Sequence, residues 1–152
     1  MALRQVCTFT LDNLLFGVDV ARVQEVNRHH GQTPVPLAPR VVGGLINLRG
    51  QIVTAIDLRR RLELPERPRE MAPMSVVVRG EDDIHSLLVD EVGEVLNVEE
   101  SAFEAPPPTL DTAARGLITG AYKLADRLLL ELDVARATCL EEDGAARREG
   151  LR

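Results

Sequence analysis

Residues 44–58 read GLINLRGQIVTAIDL, and this stretch indicates the fold of the chain. Two short apolar runs, residues 44–48 and 52–58, are separated by Arg49-Gly50. A glycine-containing pair between two such runs is typical of the tight turn that joins antiparallel strands. The stretch therefore predicts a β-hairpin with Arg49 at its corner.

Similar hairpins are predicted on both sides of this one. Three further pairs of apolar runs meet at polar turns: residues 9–20 around Asp12-Asn13, residues 74–78 and 85–89 around 80–83, and residues 117–124 and 127–134 around Ala125-Asp126. Helical turns are predicted only at residues 20–26, 38–42, 58–64 and 134–140. Short strands separated by Gly and Asp turns favour a closed all-β barrel over βαβ units, which need long helices between strands.

The two halves of the chain carry similar strings in the same order. VQEV at 23–26 matches VGEV at 92–95, GLI at 44–46 matches GLI at 116–118, and IDL at 56–58 matches LDV at 132–134. The distance along the chain from each string to its match is nearly constant, which predicts two copies of one small barrel. Because a barrel of this size is marginal alone, we expect the two copies to share apolar surface.

This duplication predicts the domain organisation. One domain is expected over residues 1–140, with subdomain one at about 8–66, subdomain two at about 74–138, and a terminal strand free to cross between them. The proline-rich segment 63–73 would connect the two copies. The polar residues 141–152 are expected to form a flexible tail.

Composition narrows the class of protein. The 152 residues are 45% apolar and 28% charged, as in an ordinary globular domain, and carry a net charge of −6. The negative charge and only four aromatic residues argue against a base-stacking nucleic-acid binder. Two cysteines cannot make a disulfide framework, so a reducing, cytoplasmic compartment is predicted. Apolar runs of membrane-helix length are absent from the sequence, so no membrane insertion is expected.

Residues that carry chemistry do not cluster in any catalytic or ligating pattern. The candidates are scattered: His29-His30, an isolated His85, Cys7 and Cys139 near opposite ends of the chain, and Gly43-Gly44, which precedes a strand. Asp90 and Glu91 point to opposite faces of a strand, so a solvated acidic surface is expected there. We predict that the chain is not an enzyme and that it uses neither metal nor cofactor.

These strings together resemble the CheW-like family of chemotaxis coupling proteins, from Cys7 to about Thr138. The blocks that carry the resemblance are FGVDV at 16–20, VQEV at 23–26, VPLAP at 35–39, GLINLRGQI at 44–52, IDL at 56–58 and LLVDEV at 87–92. The pattern G-x-x-N-L-R-G at residues 44–50 is the most specific of them.

The resemblance implies a pair of five-stranded SH3-like barrels on a shared core. It also implies a non-enzymatic adaptor in the cytoplasm, recruited to receptor arrays, which joins the cytoplasmic tips of methyl-accepting chemoreceptors to the regulatory domain of the histidine kinase CheA. Carried over position by position, the receptor-facing residues would be Val23, Glu25, Arg49 and Val95. The kinase-facing residues would be Gly44, Ile46, Gln51 and Asp57.

Each receptor-facing residue also has an alternative interpretation that involves no binding partner. The Arg49 guanidinium suits a clamp on a carboxylate or on carbonyl oxygens, but it equally suits a brace for the first barrel. Glu25 fits a specificity contact or a solvated carboxylate. Val23 and Val95 fit an apolar stripe of a receptor helix or the protein core.

Two other functions stay open at this stage. One is a coupling protein of a chemosensory pathway that controls pili, gliding or gene expression. The other is an SH3-like or OB-like barrel that binds nucleic acid through arginines, namely Arg59-Arg60-Arg61, Arg67 and Arg69.

Charge is unevenly distributed along the chain. Residues 40–79 contain eight arginines and four carboxylates, whereas residues 80–114 contain ten carboxylates and neither Lys nor Arg. This predicts a cationic side and an anionic side, which suits a protein that contacts different neighbours on its two faces.

Overall fold

The structure is a computed structural model that describes residues 2–28, 31–80 and 83–139. Within these ranges the strands are β1 (Leu3–Leu11), β2 (Leu14–Asp19), β3 (Val23–Arg28), β4 (Val42–Leu48), β5 (Gln51–Asp57), β6 (Met74–Arg79), β7 (Ile84–Val89), β8 (Glu91–Glu99), β9 (Phe103–Glu104), β10 (Ile118–Lys123) and β11 (Leu128–Leu132). The helices there are single turns: α1 (Leu58–Arg61), α2 (Thr112–Arg115) and α3 (Val134–Ala137). The all-β prediction is confirmed.

The strands form two sheets, which we call barrel one and barrel two. Barrel one has the strand order β3-β6-β7-β5-β4, and barrel two has the order β8-β1-β2-β11-β10-β9. The sixth strand of barrel two, β9, is only two residues long. In both sheets one internal pairing is parallel, β5 with β7 and β11 with β2, and the other pairings are antiparallel.

The sheets divide the chain differently from the predicted subdomains. Barrel one takes residues 23–89, and barrel two takes residues 3–19 together with 91–132. The β1–β2 hairpin pairs with β8 and β11, and the β6–β7 hairpin pairs with β3 and β5. Each half of the chain therefore gives its leading hairpin to the other half's sheet. The physical reason for this exchange is that an edge strand leaves backbone N–H and C=O groups unpaired. Strands of the other half pair with both outer edges of each hairpin.

Strand registers reveal the duplication directly. Val23 of β3 pairs with Val78 of β6, and Val92 of β8 pairs in the same way with Phe9 of β1. The VQEV and VGEV strings therefore lie at equivalent positions in the two sheets. Two bulged ladders show the same for the third match. In barrel one the pairs on either side of the bulge are Val42–Ile56 and Gly44–Ala55. In barrel two the corresponding pairs are Ile118–Leu132 and Gly120–Glu131. The first and third string matches are thus structural equivalents.

The second string match, between the two GLI strings, is not a structural equivalence. Gly44 corresponds to Gly120 rather than to Gly116. Both glycines lie beside a segment that pairs with the edge of the sheet, since Thr33 bridges to β4 and β9 pairs with β10. A Cβ on Gly120 would collide with the Phe103 ring, and one on Gly44 would lie 2.7 Å from the carbonyl oxygen of Thr33. The absence of a side chain therefore allows that segment to approach the edge strand closely in each barrel.

One apolar cluster joins the two sheets. Its buried members come from both barrels and include Phe9, Phe16, Ile56, Val76, Leu87, Leu130 and Leu132. Phe9 and Phe16 stack with ring centroids 5.8 Å apart. Burying each such side chain contributes roughly 1.5–3 kcal/mol. The predicted shared core is present, and it fixes the two barrels against each other.

Some of the helix predictions are confirmed and others are wrong. Helices α1 and α3 begin at the predicted residues 58 and 134, each capped by the preceding aspartate, Asp57 or Asp133. Residues 20–22 form a 3-10 turn, but residues 23–26 belong to β3. The helix predicted at 38–42 is wrong, because Val42 already enters β4. Helix α2 was missed. The predictions for His29-His30 and for residues 141–152 lie outside the described residues.

Candidate partner-binding surface

The corner of the β4–β5 hairpin is shaped by backbone geometry. Arg49 and Gly50 both have positive φ, +53° and +88°, as a two-residue hairpin turn requires. The Asn47 side chain fixes this turn, since its Oδ1 accepts a hydrogen bond from the Gly50 N–H at 2.8 Å. The turn leaves the Arg49 side chain 79% exposed.

Arg49 pairs with Glu25, the second predicted receptor-facing residue. Arg49 Nη1 lies 3.0 Å from Glu25 Oε2, and Asn27 Nδ2 donates to Glu25 Oε1 at 2.8 Å. β3, which carries Glu25, and β4, which leads to Arg49, are the opposite edge strands of barrel one. The ion pair therefore links the two edges of the sheet. It also leaves most of the guanidinium accessible.

A hollow of about 300 Å³ opens beside this ion pair. Its lining mixes apolar and polar side chains from β3, β4 and β6, among them Asn27, Ile46, Leu48 and Ser75. Ile46 was predicted to face the kinase, yet it lines the same hollow as Glu25 and Arg49. Members of the receptor-facing set and of the kinase-facing set therefore lie next to each other at the β4–β5 hairpin.

The two valines of the receptor-facing set lie in different surroundings. Val23 is half-buried and packs against the shared core, whereas Val95 on β8 is 50% exposed. β8 is an edge strand of barrel two, so the set spans edges of both sheets. Of the two, Val95 exposes apolar surface, whereas Val23 is mainly part of the core.

The remaining predicted kinase-facing residues also differ in accessibility. Gln51 is exposed at the start of β5, beside Ile52, which is 62% exposed. Gly44 is buried under Thr33 with φ +148°. Asp57 is buried, and its Oδ1 accepts from the Arg59 backbone N–H at 3.1 Å. Gly44 and Asp57 thus shape the ends of the hairpin from within.

A buried ion-pair cluster was missed by the sequence analysis. Asp90 was expected on a solvated acidic surface, but it is only 6% exposed, so that prediction is wrong. Arg59 binds it through two donors, Nε to Oδ1 at 2.9 Å and Nη2 to Oδ2 at 2.5 Å. Arg67 Nε donates to Asp90 Oδ1 at 3.0 Å, and the Asp12 backbone N–H donates to Oδ2 at 2.9 Å.

This cluster ties the barrels together. Asp90 lies between β7 of barrel one and β8 of barrel two, and Asp12 belongs to the β1–β2 turn. Burial alone would raise the pKa of Asp90. The bonds from Arg59, Asp12 and Arg67 outweigh burial and hold that pKa below its ordinary value. The sequence signal was weak because Arg59 is 31 positions away.

The cluster also changes the interpretation of the arginine-rich segment. Arg59 and Arg67 have side chains only 6% and 8% exposed, and Arg60 pairs with Glu66 at 3.1 Å. They therefore do not form the open cationic groove that nucleic acid requires. Carboxylates of the acidic segment, by contrast, are exposed on barrel two: Glu91, Glu94, Glu99, Glu100, Glu104 and Asp111.

Other reactive groups in the described part of the chain are isolated. Within residues 2–28, 31–80 and 83–139, no three His, Cys, Asp or Glu side chains come together as a metal site would require. Burial raises the pKa of the Cys7 thiol and lowers the pKa of the half-buried His85. Among the described residues, no helix is long and apolar enough to cross a membrane.

Comparison with known proteins identifies the family. The model of the family described as the CheW-like domain matches residues 5–139. This chain belongs to the CheW-like family.

Members of the CheW-like family from distant bacteria resemble the chain along most of its length. A chemotaxis protein CheW from Treponema pallidum is 28% identical over 134 residues, covering 86% of this chain and 79% of that protein. A chemotaxis protein CheW from Bacillus subtilis is 30% identical over 125 residues, covering 82% and 80%. The crystal structure of the scaffolding protein TtCheW from Thermoanaerobacter tengcongensis superposes with a TM-score of 0.80 at 30% identity, covering 90% of this chain and 92% of that one.

Proposed function

We propose that this chain is a non-enzymatic adaptor that couples methyl-accepting chemoreceptors to a CheA-type histidine kinase in chemotaxis. The match of residues 5–139 to the CheW-like family carries this proposal. Proteins similar to it along most of their length are named as chemotaxis and scaffolding proteins. The adaptor acts at receptor arrays without inserting into the membrane.

The receptor contact uses the accessible part of the Arg49–Glu25 pair together with Val95. Glu25 is held by two partners, Arg49 and Asn27, so its carboxylate is fixed before any receptor binds. A fixed ion pair gives specificity for a polar group of a receptor helix, and the exposed Val95 suits an apolar stripe of that helix. Val23 lies on β3 with Glu25 and packs on the shared core, so it contributes by holding β3 in place.

The kinase contact uses the β4–β5 hairpin of barrel one. Gln51 and Ile46 supply its side chains, and the neighbouring Ile52 adds an exposed apolar group. Gly44 and Asp57 act through the shape of the hairpin, since both are buried. Residues 91–111 of barrel two expose six carboxylates, whereas barrel one, residues 23–89, is nearly neutral with nine arginines and eight carboxylates, so the two barrels favour different neighbours.

Separate titrations of the purified chain test the function. We expect it to bind a receptor signalling-tip fragment and the isolated regulatory domain of the kinase, each measured by isothermal titration calorimetry. Arg49→Ala should weaken the receptor titration at least tenfold and spare the kinase titration. Arg69→Ala, at an exposed linker arginine, is the matched control and should change neither. Binding to neither partner by the wild-type chain would refute the proposal.

A further inference from the structure

The residues of the proposed receptor contact are divided between the two barrels. Glu25 and Arg49 lie in barrel one, whereas Val95 lies on β8 of barrel two. β3 and β8 are edge strands of their sheets, and both border the shared core, because Val23 and Val92 pack against it. A receptor helix that contacts both edges therefore requires a fixed orientation of one barrel relative to the other.

The shared core alone does not define this orientation. Apolar contact is non-directional, and a core of suitable size and pattern loses its unique arrangement before it loses stability. Hydrogen bonds between ionised groups are directional, so they add geometric specificity as well as energy. The Asp90 cluster supplies such bonds in the interior, with the side chains of Arg59 and Asp90 only 6% and 7% exposed.

The Arg59–Asp90 pair joins the bases of the elements that carry the receptor contact. Asp90 directly precedes β8, the strand of Val95. Arg59 follows directly after β5, the second strand of the hairpin that has Arg49 at its corner. Because β5 and β8 are each paired within their own sheet, a displacement at this ion pair changes the position of both edges.

Further elements converge on the same carboxylate. The Asp12 backbone N–H donates to Asp90 Oδ2, and the Asp90 backbone N–H donates to the Thr10 carbonyl oxygen at 3.1 Å. Arg67, from the segment that connects β5 to β6, reaches both Asp90 Oδ1 at 3.0 Å and Asp57 Oδ2 at 3.5 Å. Both barrels and the segment between them thus determine where this carboxylate lies.

We propose that the Arg59–Asp90 pair sets the orientation of the two barrels and thereby aligns β3 with β8 for the receptor. The inference deepens the proposed function and rests on it. Compared with apolar replacements, a buried ion pair adds little net stability, so its contribution here is a specific arrangement. Arg59 is a positioning residue, since it acts through the edges and contacts no receptor itself. The kinase contact lies within barrel one and does not depend on the alignment.

A substitution that keeps the charge but changes the geometry tests the proposal. Arg59→Lys retains the cation and loses the planar fork that holds both carboxylate oxygens. In calorimetric titrations, it should bind a receptor signalling-tip fragment at least tenfold more weakly and the kinase regulatory domain within twofold of the wild type. Arg60→Lys, the same change at the next residue of α1, is the matched control and should alter neither titration. A defect in folding alone would weaken both titrations together.

Spin labels report the orientation of the barrels without any partner. Gln24→Cys on β3 and Asn97→Cys on β8 provide exposed labelling positions in a chain whose native cysteines are replaced by alanine. Double electron–electron resonance should give one narrow distance for the otherwise unchanged chain and for Arg60→Lys. Arg59→Lys should shift or broaden that distribution.

A second variant covers the case in which Arg59→Lys does not fold. Arg59→Met combined with Asp90→Leu replaces the pair by apolar side chains, which proteins tolerate at buried ion pairs, and the same separation of receptor from kinase binding is expected. Unchanged receptor binding, equal weakening of both titrations or an unchanged distance distribution would overturn the proposal. A wild-type chain that binds no receptor would refute the proposed function, whereas an unchanged distance distribution would refute the orienting role of Arg59, so the two failures are distinguishable.

Discussion

Arg49 at the corner of the β4–β5 hairpin lies 3.0 Å from Glu25 on β3, and this pair joins the two opposite edge strands of barrel one. The guanidinium is 79% exposed and the carboxylate only 17%. One partner is therefore held by the protein, while the other stays available to a binding partner.

We predict that the Arg49–Glu25 pair contributes little to stability. Exposed ion pairs contribute roughly 0.2–1 kcal/mol, because solvent screens them and long side chains lose entropy. A double-mutant cycle with Arg49→Ala and Glu25→Gln, followed by urea unfolding, should give a coupling free energy within that range. A coupling clearly larger than exposed pairs provide would make Arg49 a structural brace and remove the support for its receptor role.

The Asp90 cluster is predicted to be essential for stability. Removing one partner of a buried ion pair leaves the other uncompensated and costs about 3–5 kcal/mol. Arg59→Met and Asp90→Asn should both approach this loss in denaturant unfolding. Arg60→Met, at a partly exposed arginine of the same helix, is the matched control and should stay within about 1 kcal/mol of the wild type.

Asp90 also predicts a dependence of stability on pH. Its pKa is lower in the folded chain than in the unfolded chain, so its contribution is complete above about pH 4 and is lost as pH falls through the folded value. The difference in unfolding free energy between wild type and Asp90→Asn should therefore shrink once the solution is more acidic than the unfolded carboxyl group. A difference that stays constant from neutral to strongly acidic pH would contradict this assignment.

His85 gives a second pH effect with a different window. Burial lowers its pKa, against the opposing charge of Asp83, so the unfolded chain takes up the proton first as pH falls. The folded state should lose stability as pH drops below about 6.5. His85→Phe should abolish this loss, and phenylalanine suits the position because Phe16 occupies the equivalent place in the other copy. Unfolding measured on both sides of that pH tests the effect, and an unchanged pH slope in the variant would refute it.

The sequence predicted those parts of the fold that depend on neighbours along the chain. The hairpins around Asp12-Asn13 and Arg49-Gly50 were predicted because Asp, Asn and Gly interrupt the apolar runs there. These residue types tolerate the positive φ that the turns adopt in the structure. Their exchange between halves was not predicted, since alternation along a strand does not say which strand pairs with it. The missed helix α2 follows three consecutive prolines, and only Asp111 before it signals a helix start.

The candidate site was predictable to a similar degree. Glu25 and Arg49 were named from the family pattern, but their mutual contact depends on closure of barrel one, which brings opposite sheet edges together. Asp90 was misjudged because strand alternation places it on one face but does not reveal that Arg59 covers that face. Long-range ion pairs leave no local signal in a sequence.

The pairing of β9 with β10 in barrel two is predicted to depend on Gly120. A Cβ there would collide with the Phe103 ring and lie 2.5 Å from the Glu104 carbonyl oxygen, so Gly120→Ala should cost about 3 kcal/mol. Adding Phe103→Ala should restore part of that loss in thermal unfolding. Gly50→Ala is the control, because nothing lies within 4 Å of its Cβ, and it should cost only about 1 kcal/mol through its positive φ. Equal losses for both glycines would contradict the steric account.

Recruitment of the kinase to receptor-bearing membranes tests the central claim most directly. Kinase, membranes and the purified chain are mixed, and the kinase that sediments with the membranes is measured. The wild-type chain should increase sedimented kinase in proportion to its own concentration, and Arg49→Ala should fail to do so although it still binds isolated kinase. Recruitment that is unchanged in the absence of the chain, or receptor and kinase that displace each other from it, would contradict the adaptor function.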